Sequence, residues 1–379
     1  MTLVLLGINA LLLWPLRADS TAVKDSGRRP LRVGLVFDVG GRGDKSFNDA
    51  AFRGVDQAVR ELGILAEFVE PGDGADRESG LRLLAARGFD LVLGVGFVFS
   101  DDMLQIAHDY PDRHFACIDY AKFDEHGFVV PPRNMVALKF REEEGSFLVG
   151  AVGALLSPHK TLGFVGGMDI PLIHKFESGY RQGALAVCPD CKVLVGYAGT
   201  SADAFKNPAR GKELALAQYQ AGADVVFHAA GSTGLGVFEA AREKNRRAIG
   251  VDSDQWDDAP GYMLTSMVKR IEVSVYNVIA ELREGRFDPG VKVFGLREGG
   301  IDYAYDEPRR GMIPTHVRAR VEALAGVQVR QHPAGLLHVA AEGGVAHGPP
   351  EAVPLKKLGG EIRDLDPDLV RLEGLDALR

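Results

Sequence analysis

The sequence is short of cysteine, of net positive charge and of long apolar runs, and each shortage excludes something. Three cysteines occur. Cys188 and Cys191 form one C-x-x-C pair, but a structural zinc site would need two further ligands, and no second pair exists. A net charge of −8, with no basic cluster interleaved with aromatics, argues against nucleic acid as a partner. The apolar run Met1–Leu16 is too short to span a bilayer comfortably. No P-loop occurs, and Gly94-Val95-Gly96 lacks the third glycine of a dinucleotide fingerprint. Metal-ligand spacing is absent among the ten histidines. The expectation is therefore a protein with no metal and no cofactor.

What is present is ordinary for a globular protein: 46% apolar and 25% charged residues in 379, enough chain for two lobes. Met1–Leu16 reads as the core of a secretory signal, with Ala18–Ala22 as a cleavage zone. The expected location is outside the cytoplasm, in the periplasm or on the outer face of the cell membrane. No positive residue precedes the run, so an uncleaved anchor or a misassigned start is the competing reading. Cys117 lies inside the apolar run His114–Ile118 and reads as a small buried hydrophobe. For Cys188 and Cys191 a redox role would want a helix after the first cysteine, and a strand follows. A local disulfide is expected.

The chain is organised around Leu31–Asn48. Val33–Phe37 is a short apolar run typical of a buried strand. Asp38 stands where it should end, and Gly40, Gly41 and Gly43 permit a tight turn. Ser46, Asn48 or Asp49 is expected to cap the following helix, whose apolar face runs through Ala51, Phe52, Val55, Ala58, Val59 and Leu62. In such α/β units ligands bind at the carboxyl ends of the strands.

From there strands and helices alternate. Strands are expected at Val33–Phe37, Ala66–Val69, Leu91–Val95, His114–Ile118, Met135–Leu138, Thr161–Val165, Lys192–Tyr197, Val225–Ala229, Ala248–Val251 and Leu264–Val268. Helical patterns include Asp76–Arg87, Ser100–Tyr110, Glu142–Leu156 and Leu235–Lys244. The pattern runs twice, which implies two parallel sheets with a cleft between them.

The stretch Asp38-Val39-Gly40-Gly41-Arg42-Gly43-Asp44-Lys45-Ser46-Phe47-Asn48 resembles the basic membrane protein (BMP) family, purine nucleoside-binding substrate-binding proteins of ABC transporters. It matches that family's D-x-G-G-x-x-D-K-S-F-N pattern in full, and the resemblance continues to about residue 325. It implies the periplasmic-binding-protein type I fold: two doubly wound parallel-sheet lobes around a ligand cleft, with three crossings, near 120–137, near 265 and near 288. The expected organisation is a leader over 1–30, lobe I over 31–121 plus 266–287, lobe II over 122–265 plus 288–328, and an appended tail over 329–379. A lipid-attachment cysteine, usual in the family just after the leader, is not found in this sequence.

The resemblance also assigns roles. Phe47 stacks on the base, and Phe176, in the family's second marked stretch Gly166–Gly179, faces the cleft from the other lobe. Asp38 and Asp119 match positions that take hydrogen bonds from the ligand, and Asn48 is a further candidate for the base edge. Asp252 and Lys269 match the pair that holds the ribose. Gly231, in Ala230–Gly234, offers backbone N–H groups at a strand-to-helix turn. The function implied is an exported receptor that captures adenosine, guanosine or inosine and hands it to an ABC permease, working as a monomer. Two rivals follow from the same fold. A nucleoside-processing enzyme would need a carboxylate cluster for a metal, and Asp38 with Asp44 supplies only two carboxylates and no nucleophile–base pair. A ligand-sensing regulator would need a DNA-binding segment ahead of Val33, where only the apolar leader stands.

Overall fold

Strand β1 (Arg32–Val36) forms because its residues are apolar on both faces, as a strand covered by helices on each side requires. In the computed structural model, which describes residues 29–70, 77–306, 309 and 311–331, β1 lies between β2 (Leu65–Val69) and β3 (Leu91–Val95), parallel to both. Val33 and Leu35 pack toward helix α1 (Phe47–Leu62) through Ala51, Val55 and Ala58. Val36 and Val92 face the other way, onto α2 (Arg77–Ala86) and α3 (Ser100–Asp109) through Leu81, Leu84, Met103 and Ile106. Strands β4 (His114–Ile118), β5 (Met135–Phe140) and β11 (Gly290–Phe294) complete a six-stranded sheet in the order β11-β5-β4-β3-β1-β2.

The second sheet repeats the plan. Its strands are β6 (Thr161–Met168), β7 (Lys192–Gly199), β8 (Val225–Ala229), β9 (Arg247–Asp252), β10 (Met263–Lys269) and β12 (Ile301–Tyr303), in the order β12-β10-β9-β8-β6-β7. Only β12 runs antiparallel to its neighbour. Helices α4 (Glu142–Leu155) and α5 (Pro171–Val187) cover one face, and α6 (Pro208–Gln220) and α7 (Gly234–Lys244) the other. Helix α8 (Ile271–Arg283) returns to the first lobe, where it packs on α1, and α9 (Thr315–Gln331) packs on α4. The expected strands are all present, within a few residues of their ends.

The boundaries between lobes differ from the expected ones. Residues 122–134 do not cross: they leave β4 and return to β5 beside it, with Phe115 opposite Met135. Strand β5 is buried along its whole length in the first sheet, so the first crossing falls after Phe140. The second falls after Lys269 rather than near 265, and the third lies between Phe294 and Ile301 rather than near 288, because β11 pairs with β5. Strand β5 is paired on both sides, with β4 and β11, and β11 forms the sheet edge by pairing with β5, so strand pairing rather than sequence proximity decides the lobe for both. Cys188 and Cys191 are bonded to each other at the end of α5, and Cys117 is a buried free thiol. The leader, the Ala18–Ala22 zone and the tail beyond residue 331 lie outside the described residues.

Candidate ligand-binding cleft

The loop after β1 is built by carboxylates. Asp44 accepts backbone N–H bonds from Ser46, Asn48 and Asp49 at 3.0, 2.8 and 3.1 Å. It therefore satisfies the free donors of the first turn of α1, a role expected of Ser46, Asn48 or Asp49. Asp49 instead holds the turn, accepting from the N–H groups of Gly43 and Lys45. Asn48 is turned inward. Its amide nitrogen donates to Asp38 at 2.6 Å and Asp44 at 3.0 Å, and its oxygen accepts from the Asp38 N–H at 3.1 Å. Both amide hydrogens are thus occupied by this lobe, and Asn48 orients Asp38 rather than presenting a free amide. The Gly40 N–H also donates to Asp38 Oδ1, which leaves Oδ2 directed past Gly96. Gly96 takes φ +108°, and a Cβ there would lie 3.3 Å from the Phe47 ring and 3.6 Å from Asp38 Oδ2, so its lack of a side chain leaves room for both.

The two lobes carry the same device at equivalent strand ends. Asp119 follows β4 and Asp252 ends β9, and both are buried with left-handed backbones, φ +61° and +62°. Aspartate tolerates this region better than most residues, and such strain gathers at functional sites. Lys269, the last residue of β10, reaches Asp119 with contacts of 2.8 and 2.7 Å and stands 3.0 Å from Glu142. Its ammonium lies 5.1, 4.7 and 5.9 Å from the ring centres of Phe47, Phe140 and Phe176. The expected Asp252–Lys269 pair is therefore not the direct one. Asp252 instead accepts from the Ser46 hydroxyl at 2.6 Å, across the lobes.

All eight residues expected at the site line one cavity between the lobes: Asp38, Phe47, Asn48, Asp119, Phe176, Gly231, Asp252 and Lys269. The space between these walls, open solvent at the mouth included, is about 570 Å³. Sequence reasoning missed Phe97 and Phe205, whose rings meet edge to face at 6.4 Å from opposite lobes and line the same cavity. Phe97 follows a strand end, a signal that could have found it. Phe205 ends a short 3-10 helix, Ala202–Phe205, held by Thr233, whose hydroxyl donates to the Ala204 carbonyl, and nothing local marks it. Leu172 and Ile173, one turn before Phe176, extend the apolar wall. The lobes are fastened over the cavity by Ser46–Asp252, by Lys45–Asp258 at 2.5 Å and by Arg53–Ser253 at 2.7 Å.

Burial dominates the electrostatics. It pushes the Asp252 carboxyl up to about 7 against the opposing pull of Lys269 and the Ser46 hydrogen bond. Burial likewise pushes Asp38 up to about 6, with the Asn48 hydrogen bond opposing and nearby Asp44 adding to the rise. Glu142 goes the other way: burial disfavours its charge, but Lys175 and Lys269 outweigh it and hold the carboxyl down at about 2. Burial also works against the Lys269 charge, and Asp119, Glu142 and Asp252 together hold its pKa above the ordinary lysine value. Asp119 is pushed up by burial and pulled down by Lys269; with both oxygens within 2.8 Å of an ammonium, the ion pair prevails. The cavity thus offers aromatic faces, acceptors at strand ends and one buried cation. Among the described residues no group of three or more side chains is arranged to hold a metal.

Comparison with known proteins agrees with this construction. A family model described as ABC transporter substrate-binding protein, PnrA-like, matches residues 31–309. An uncharacterized lipoprotein of Pyrococcus furiosus is 35% identical over 287 residues, 72% of this chain and 70% of the relative. The ABC transporter nucleoside-binding protein BmpA of Lactococcus lactis is 28% identical over 330 residues, 81% of this chain and 91% of the relative. The crystal structure of an ABC transporter solute-binding protein from Aeropyrum pernix superposes with a TM-score of 0.68 at 32% identity, over 80% of this chain and 86% of that one. The fold is that of the periplasmic-binding-protein type, and the chain belongs to the Bmp family of PnrA-like ABC transporter substrate-binding proteins.

Proposed function

We propose that this protein captures a purine nucleoside between its lobes and delivers it to an ABC permease, as a monomer acting outside the cytoplasm. The observation that carries the reading is the cavity itself: Asp38, Phe47, Phe176, Asp119, Lys269 and Asp252 line one space, with the Lys269 ammonium 5.1 and 5.9 Å from the Phe47 and Phe176 ring centres. A flat base needs aromatic faces, and base–aromatic stacking contributes ~1–3 kcal/mol per base. Stacking accepts any base, so selection falls to the polar groups. Asp38 is an acceptor whose partners are set by Asn48 and Gly40, suited to a base edge that presents N–H donors. Asp119, Lys269 and Asp252 combine acceptors with a donor, which suits vicinal hydroxyls. The nucleoside-binding name of the Lactococcus relative supports the ligand class. The lipoprotein name of the Pyrococcus relative supports export. Among the described residues no helix is long and apolar enough to cross a membrane.

Titration calorimetry with adenosine, guanosine, inosine, cytidine and the free bases tests the reading. Purine nucleosides should bind more tightly than cytidine by roughly ten- to hundredfold, the effect of one unpaired buried polar group. Phe47→Ala should weaken nucleosides and free bases alike. Asp252→Ala should weaken nucleosides and leave free bases nearly unchanged. A wild-type protein that binds none of these, and is stabilised against heat by a sugar or amino acid instead, would remove the nucleoside assignment.

A further inference from the structure

Lys269 lines the cavity, but one of the two groups that hold it does not. Its ammonium has three protons to donate. Asp119, which faces the cavity, takes contacts from it with both oxygens. Glu142 stands behind the cavity wall, 1% exposed, as the first residue of α4 just after the first crossing. There the helix N-terminus favours a negative charge. Lys175 of α5 donates to Glu142 Oε2, reaches Glu143 at 3.1 Å and donates to the Phe140 carbonyl at 2.6 Å. The carboxylate is thus fixed from the second lobe and has no freedom to swing into the cleft. Its other oxygen, Oε1, is 3.0 Å from the Lys269 nitrogen yet makes no aligned hydrogen bond. A fully buried acceptor of this kind is normally satisfied. Here it is held in contact with the one cation that faces the ligand, while that cation spends its protons on Asp119. Lys139, the other buried lysine of this region, donates to the Tyr120 carbonyl at 2.7 Å and does not compete for Oε1.

We propose that Glu142 is a positioning residue for ligand binding: when sugar hydroxyls enter between Asp119 and Lys269, the ammonium leaves one Asp119 oxygen and completes its bond to Glu142 Oε1. The exchange keeps the buried cation paired throughout, because an ammonium stripped of partners in a site without water is strongly disfavoured. It also frees an Asp119 oxygen to accept from a hydroxyl while Lys269 donates to one. Glu142 touches neither the base nor the sugar, so its effect is confined to ligands that carry the hydroxyls. The inference rests on the nucleoside reading above and extends it to a residue outside the cavity.

The test compares adenosine and guanosine with their 2′,3′-dideoxy forms by calorimetry on wild type, Glu142→Gln and Glu142→Asp. For Glu142→Gln, ribonucleoside affinity should fall by roughly ten- to hundredfold while dideoxynucleoside affinity stays within about twofold of wild type. Glu142→Asp keeps the charge and should show the same selective loss at smaller size; it carries the test if the glutamine variant does not fold. Glu143→Gln, one residue along and salt-bridged to the same Lys175, should bind as wild type does. Equal losses for the ribo and dideoxy ligands, or wild-type affinity for both in Glu142→Gln, would overturn the proposal. A wild-type protein that binds no nucleoside at all would instead remove the functional reading, and this inference with it.

Discussion

Asp252 shows how a single residue can join ligand chemistry to stability. Folding raises its carboxyl to about 7 because burial penalises the charge. An acid whose pKa is raised by folding binds its proton more tightly in the native state than in the unfolded chain. Its contribution to stability is therefore fully present below the ordinary carboxylate pKa and is lost as pH rises through about 7. Asp252→Asn keeps the shape and an acceptor for Ser46 but removes the titration. Ligand-free Asp252→Asn is expected to melt above wild type at about pH 8, with the difference shrinking toward about pH 5. Melting curves across that range check it, and a constant difference would mean the carboxyl does not titrate there. That Asp252 faces the cleft was legible from its position at a strand end. That its partner is Ser46 was not, since the two lie 206 positions apart and no local pattern links them.

At the scale of the elements, α4 and α5 cross where each helix has no side chains. A Cβ at Gly150 would lie 2.1 Å from the Tyr180 carbonyl, one at Gly179 2.3 Å from that of Glu143, and one at Gly183 1.8 Å from that of Phe147. The backbones touch, and this close approach brings Lys175 of α5 onto Glu142 of α4. Gly183→Ala is therefore expected to destabilise by about 1–3 kcal/mol, the range for overpacking, whereas the same change on an exposed helix stabilises by about 1 kcal/mol. Denaturant unfolding gives the sign directly. The apolar pattern of Glu142–Leu155 marks the helix in the sequence. The glycines within it read only as poor helix formers, because a packing requirement belongs to the neighbour as much as to the residue.

For the whole molecule, the two lobes are tied inside the cleft by the Lys269–Asp119 ion pair and at its mouth by a few polar contacts. Ser46–Asp252 is the buried one among Ser46–Asp252, Lys45–Asp258 and Arg53–Ser253; the Lys45 side chain is 57% exposed and its ion pair is screened by solvent. Ser46→Ala should leave the fold intact but speed ligand release by roughly five- to tenfold, the effect of about 1 kcal/mol from one net hydrogen bond. Stopped-flow displacement measures this, and an unchanged release rate would show that the contact does not hold the lobes closed. A ligand that binds the closed form also raises the melting temperature by mass action, by the equivalent of about 2.7 kcal/mol at a hundredfold excess over Kd.

Much of this protein is written locally. A strand of five apolar residues, an aspartate at its end, a glycine turn and an amphipathic helix are each short-range patterns, and repeating them determines two α/β lobes with their polar residues at the carboxyl edges. Those patterns put Asp38, Asp119 and Asp252 at strand ends, whereas the choice of these three and of Lys269 as site residues came from the resemblance to the BMP family; all four line one cavity. What the tertiary structure alone decided is which groups are partners. Lys269 pairs with Asp119, 150 positions away, and with Glu142, and it leaves Asp252 to Ser46. Likewise β5 and β11 join the first sheet against the expected lobe boundaries. Secondary structure follows from the periodicity of neighbours along the chain. Pairing follows from distances set by how two sheets and their crossings pack, and no residue carries that information by itself.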